Sequence, residues 1–208
     1  MNGIADSQVL LRLPRKAEDA AFERVEALSP PERQILEILS AAHGPLAVCE
    51  LEAIEGLGSE DGHHEPDLAA RVETLSEQGF LELREETGGS LAHMCHLALA
   101  SQIYRQMRED VRISVHRRIA LALMERLAGT GPGRTPEDIA FHARLGGLNG
   151  LYFKQALIAA EKLCEARACE AATQLYEEIL ERLGTGAVLE TGSTSIVQWV
   201  PFNEGWGE

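Results

Sequence analysis

The stretch PDLAARVETLSEQGFLELREETGGSLAHMCH, residues 66–96, decides the fold. Pro66 opens a helical period over 66–78, with Leu68, Val72 and Leu75 on one face. Gly79 stops it, because glycine tolerates the left-handed conformation that ends many helices. Phe80, Leu81 and Leu83 then sit among Glu82 and Arg84, the pattern of a short strand. Glu85-Glu86-Thr87-Gly88-Gly89-Ser90 reads as a hairpin turn, and Leu91–Cys95 as the returning strand.

Upstream, Ser29 precedes Pro30-Pro31-Glu32. A hydroxyl cap, prolines in the first turn and an early acid mark a helix start. The helix is expected over 31–42, with Ile35, Leu36, Ile38 and Leu39 buried, and His43-Gly44-Pro45 ends it. Residues 46–56 read as a short second helix, followed by a polar loop with Gly58, Ser59, Asp61, Gly62, His63 and His64. Residues 15–28 also show helical spacing. Three helices and then a hairpin is the order of a winged helix.

Downstream the pattern is helical throughout. Helices are expected at 96–108, 111–128, 136–146, 149–166 and 168–183, with breaks at Gly129–Gly133 and Gly146-Gly147. The last two are rich in Ala156, Ala159, Ala160, Ala166, Ala168, Ala171 and Ala172, small residues that let helix backbones approach. A tetratricopeptide (TPR)-like repeat is about 34 residues, so one fits in 149–183. A lone repeat cannot bury its own face, so these helices belong to a truncated array or pack on the preceding segment. The expected class is mainly α: a winged-helix domain with a β-hairpin wing, followed by TPR-like α-helical hairpins. The expected segments are 1–28 (helix and linker), 29–96 (winged-helix-like), 97–183 (helical connector and TPR-like hairpin) and 184–208 (linker and unrelated tail).

The 208 residues are 45% hydrophobic and 25% charged, with a net charge of −14. Residues 30–96 alone hold 14 acidic side chains against three basic ones. A phosphate backbone is repelled by such a segment, which disfavours DNA binding through it. No apolar run reaches the roughly 20 residues of a membrane span, and the N-terminus lacks the order of a secretory signal. Cys49, Cys95, Cys164 and Cys169 form no CxxC pair, and are expected to be reduced, mostly buried thiols of a cytoplasmic protein. His63-His64-Glu65 reads as a polar loop in preference to a metal site, and no metal ligand set is assigned. His116 and His142 lie on apolar helix faces and are expected in the core or a groove. Arg105, Arg108, Arg112, Arg117 and Arg118 read as a local basic cluster, there to compensate the acidic segment or to meet phosphate or an acidic partner.

An ordered series of residues runs through this frame. Leu28-Ser29-Pro30 with Arg33 is followed by Gly79-Phe80-Leu81. His96 leads to Tyr104 and Arg112, then His116-Arg117-Arg118-Ile119-Ala120 and Ala140-Phe141-His142. Ala159-Ala160-Glu161 and Glu170-Ala171-Ala172 close it. Over residues 28–183 the series resembles the region that follows the nucleotide-binding domain in STAND-type signal-transduction ATPases. The resemblance implies a winged helix that folds back on an ATPase core. It also implies that His96 is the histidine that contacts the phosphates of bound ADP. The family's usual Asp after that histidine is Leu97 here. The other reading of His96 is a buried imidazole paired with a carbonyl.

No G-x-x-x-x-G-K-[ST] phosphate loop occurs, and Gly131-Pro132-Gly133-Arg134 lacks the Lys-Ser/Thr pair. The expectation is therefore a non-catalytic regulatory fragment, with no cofactor of its own; ADP or ATP would act only through a nucleotide-binding domain elsewhere. Its partner would be that domain or another protein. The alternative is a winged-helix transcription regulator, although Asp67, Arg71, Glu73, Glu77 and Gln78 make a poor set for reading base edges. The tail SIVQWVPFNEGWGE, 195–208, resembles the acid/base motif of β-galactosidase-type glycoside hydrolases, with Trp199, Asn203 and Glu204 at the motif positions. Such enzymes need a second carboxylate and a barrel of about 250 residues, so a glycoside hydrolase remnant is the remote alternative.

Overall fold

Ser29 begins the first full helix by the logic its sequence predicts. Its backbone N–H and its hydroxyl both donate to the Glu32 carboxylate, at 2.9 and 2.5 Å. These two bonds, both accepted by Glu32, hold its carboxyl below the ordinary range, through the hydroxyl first and the N–H second. The computed structural model describes residues 22–42, 44–56, 68–86, 89–127 and 135–184. Residues 22–26 are helical. Then follow α1 (Pro30–Ala42), β1 (Leu46–Ala47), α2 (Val48–Gly56), α3 (Leu68–Glu77), β2 (Leu81–Glu86) and β3 (Gly89–Met94). The chain continues as α4 (Leu97–Gln106), α5 (Glu109–Leu127), α6 (Pro136–Leu145), α7 (Asn149–Glu165) and α8 (Cys169–Gly184). The described chain is mainly helical, with one small antiparallel sheet of order β1-β3-β2.

Residues 46–56 are not one helix. Leu46 and Ala47 pair with Ala92 and Leu91 of β3 and complete the sheet. Glu50 then caps α2, accepting a hydrogen bond from the Ala47 N–H at 2.8 Å. A strand of two residues is too short to show an alternating period. The hairpin matches the sequence: β2 and β3 pair from Leu81 opposite Met94 to Glu86 opposite Gly89. Gly79 ends the preceding helix with φ +78°. Its N–H donates to Ser76 O at 2.9 Å, and the Phe80 N–H donates to Leu75 O at 3.0 Å. That pair of bonds satisfies the last carbonyls of α3 and turns the buried Phe80 into the sheet.

The expected stripes, Ile35, Leu36, Ile38 and Leu39 on α1 and Leu68, Val72 and Leu75 on α3, are buried. They share one core with Phe80, Leu81 and Met94, and with Leu99, Ile103, Val115, Ile119 and Leu123 of α4 and α5. This core runs from Val25 to Ile139. A second, smaller cluster joins Ala120, Ala140, Ala143, Tyr152, Phe153, Ala156 and Ile179. There α6 packs on α5 and α7, and α7 on α8. Of the expected small-residue contacts, Ala156, Ala159, Ala160 and Ala172 are buried, while Ala166 and Ala171 are exposed.

The α5–α6 contact is set by backbone proximity. A Cβ on Gly146 would stand 2.6 Å from Arg117 N and 2.7 Å from Arg117 Cα. The Arg117 Nε donates to Gly146 O across the same contact, at 3.1 Å. Thr135 and Asp138 form a reciprocal capping box at the start of α6. No helix of the described residues is long and apolar enough to cross a membrane.

The expectation of mostly buried thiols is overturned, because Cys49, Cys95, Cys164 and Cys169 are all exposed. Cys49 and Cys169 lie in the first turns of α2 and α8, Cys95 just after β3 and Cys164 in the last turn of α7. The readings made for residues 1–21, for His63-His64-Glu65, for 128–134 and for the tail with Trp199, Asn203 and Glu204 lie outside the described residues.

Candidate functional site

Where β3 hands over to α4, three consecutive side chains face outward. The Cys95 N–H donates to Phe80 O at 3.0 Å and pins the crossing. His96 then caps α4 with extended backbone, φ −126° and ψ 105°, and its side chain makes no capping bond. Leu99 and Ile103 turn α4 toward the core. Leu97, two positions before Leu99 and so about 200° round the helix, faces the other way. Leu97 is 74% exposed, and Cys95 and His96 are exposed beside it. The reading of His96 as a buried imidazole is thereby corrected: the residue caps the helix at its start and is exposed.

The other two histidines of the series are buried, as their apolar faces predict, and they meet. The Tyr104 hydroxyl lies 2.8 Å from His116 Nε2. His116 Nδ1 lies 2.9 Å from His142 Nδ1. His116 is 1% exposed and His142 4%. The Phe141 ring stands nearly perpendicular to both imidazoles, at centroid distances of 6.0 and 5.2 Å. The Arg112 guanidinium sits over the Tyr104 ring at 5.7 Å, and that of Arg144 over Phe141 at 5.9 Å. Two proton arrangements satisfy this chain. In one, Tyr104 donates to Nε2 and His116 donates from Nδ1 to His142. In the other, every bond is reversed. The sequence puts Tyr104, Arg112, His116 and His142 in one series but not in one place. Their convergence needs α4, α5 and α6 to be packed.

The five arginines do not form one patch. Arg105 is exposed. Arg108 pairs locally with Asp110 at 2.9 Å, both well exposed. Arg112 and Arg117 are engaged as described above. Arg118 is the one that turns to the acidic segment: its NH1 donates to Ile54 O at 3.4 Å, and burial lowers its guanidinium below the ordinary range, with Glu55 and Glu37 acting in opposition. Burial raises the Glu37 carboxyl above its ordinary range, with Arg33 and Arg118 acting in opposition. On α3, Arg71 is held by Glu55 through two bonds of 2.9 and 2.8 Å.

Further along, burial and the neighbouring Glu178 carboxylate push the Tyr152 hydroxyl up to about 12. Among the described residues no three His, Cys, Asp or Glu side chains are grouped to hold a metal ion. Comparison of the chain with family models, with curated proteins and with solved structures finds no match to any of them.

Proposed function

We propose that this chain is a non-catalytic regulatory module of a STAND-type signalling ATPase. It docks on a nucleotide-binding domain and links that domain to a helical-repeat sensor in the cytoplasm. The observation that carries this reading is the outward-facing Cys95-His96-Leu97 tip. A leucine 74% exposed beside an uncapped, exposed histidine is a surface built for contact, since burial of apolar area drives association. In this reading, α1-β1-α2-α3-β2-β3 is a winged helix and α7–α8 a TPR-like hairpin. His96 offers its ring nitrogens to a nucleotide phosphate held by the partner. Leu180, 67% exposed, and Leu183, 39% exposed, leave α8 with an apolar face of the kind a following repeat covers. The twofold bond from Arg71 to Glu55 supports protein docking over base reading, because it occupies the cation α3 would bring to DNA.

The test joins two measurements on the full chain: ATP turnover, and calorimetric binding to an ADP-loaded STAND nucleotide-binding domain. We expect no turnover, and binding that Leu97→Asp weakens by at least about tenfold, because a carboxylate would be desolvated at the contact. Robust hydrolysis by the chain alone overturns the reading. So does sub-micromolar duplex binding with a steep salt dependence, which would identify a transcription regulator.

A further inference from the structure

We propose that the His116–His142 contact is a proton-operated latch that fastens α6 to α5. Through α6 it also fastens the α7–α8 hairpin. The latch is independent of where the chain docks.

The argument starts from the 2.9 Å separation of the two Nδ1 atoms. One hydrogen occupies that contact, carried by one ring and accepted by the other. With both rings neutral, the contact is a satisfied buried bond. A first additional proton places a charge on a pair that is 1% and 4% exposed, and burial penalises the charged form. A second proton puts an N–H on each side of the contact. Two donors then face one another, both rings are cationic, and the bond is lost. The structure relieves this by letting α6 move off α5.

The charged groups on the elements around the pair are of both signs. On α5, Arg112 lies over the Tyr104 ring and Arg117 is bonded to the Gly146 carbonyl. On α6, Arg144 lies over Phe141, and Glu178 of α8 answers it at 3.1 Å. From α1, Glu37 and Arg33 stand with Arg118. From α4, Tyr104 is a neutral partner, half-buried, which carries the relay toward the surface. The latch rests on the burial of the pair and on the one hydrogen its contact can hold, not on the sign of these charges.

The sign follows. Released imidazoles titrate near 6.5. The unlatched state therefore binds more protons than the latched one, and the latch weakens as pH falls below about 6.5 and is steady above it. The rest of the α5–α6 joint is packing of Ala120, Ala140 and Ala143 with the Gly146 backbone approach. That packing has no charge of its own to titrate.

The experiment is amide hydrogen exchange on the full chain at pH 7.5 and pH 5.0, corrected for the intrinsic rate, comparing α6 with α1. Protection of α6 is expected to fall by about tenfold or more relative to α1, the effect of one or two protons taken up on release. His142→Asn keeps an amide near the Nδ1 position and removes one of the two titrating rings, so the pH response of its α6 protection, beyond that of α1, should shrink to what His116 alone gives. Nitrogen chemical shifts of both imidazoles in the unsubstituted chain report protonation directly, whether or not the variant folds. Three results overturn the proposal: α6 protection that follows α1 at both pH values, an equal response in His142→Asn, or imidazoles that take up protons while α6 protection is unchanged.

Discussion

On its buried face α1 carries Ile35, Leu36, Ile38 and Leu39, whereas α7 carries Ala156, Ala159 and Ala160 beside Tyr152, Phe153 and Gln155. The first region is held by area: large branched side chains from helices and sheet are removed from water into one cluster. The second is held by proximity. Its alanines contribute little area each, but they and Gly146 let helices approach until polar groups between them must be paired. That is why the buried histidine pair lies at the α5–α6 joint and not in the α1 core. Burying the two imidazoles there is acceptable because their Nδ1 atoms pair.

The contrast can be broken by substitution. The largest effect is expected for Leu36→Ala, at a position 0% exposed in the first core. It should cost about 2–5 kcal/mol in urea unfolding, the lost transfer energy plus the cavity. Gly146→Ala tests the second region by adding a single methyl group. Its Cβ would meet Arg117 backbone at 2.6 Å, which only a shift of α6 can relieve. A cost of about 1–3 kcal/mol is expected, with the loss of exchange protection centred on α6. A neutral result would mean that the hairpins are not set by close approach. The smallest effects concern the caps. Thr135→Ala removes the capping box of α6, and Ser29→Ala the hydroxyl partner of Glu32. Each should cost about 1 kcal/mol. Ser29→Ala should also return the Glu32 carboxyl toward its ordinary titration, followed by carboxyl carbon shifts. In the unsubstituted chain the depressed carboxyl contributes stability above its unfolded value, and loses it as pH falls through the folded one.

The area-held region was the more legible in sequence. Helical spacing of large apolar residues placed α1 and α3, and Ser29 and Gly79 marked ends that the structure keeps. β1 escaped because two residues show no period, and its pairing partner lies some forty-five positions away. In the hairpins the periods located the helices but not their polar contacts. His116 and His142 are separated by 26 positions, and nothing local says that their Nδ1 atoms meet. The arginines misled for a similar reason. Five cations close in sequence on a helix pair point in different directions, so Arg118 reaches Ile54 while Arg117 reaches Gly146. For the cysteines, residue type suggested burial, but position at element ends decided exposure.

The order β1-β3-β2 leaves β2 at the margin of the sheet. Its outward residues are Glu82, Arg84, Glu85 and Glu86, with Arg84 occupied by Glu82 at 2.9 Å. A second copy approaching to add its own strand there would bring the same carboxylates against these. Like charges facing across a strand pair are destabilising. The acidic excess of residues 30–96 therefore has a colloidal consequence: at neutral pH it guards the open margin against strand-on-strand association.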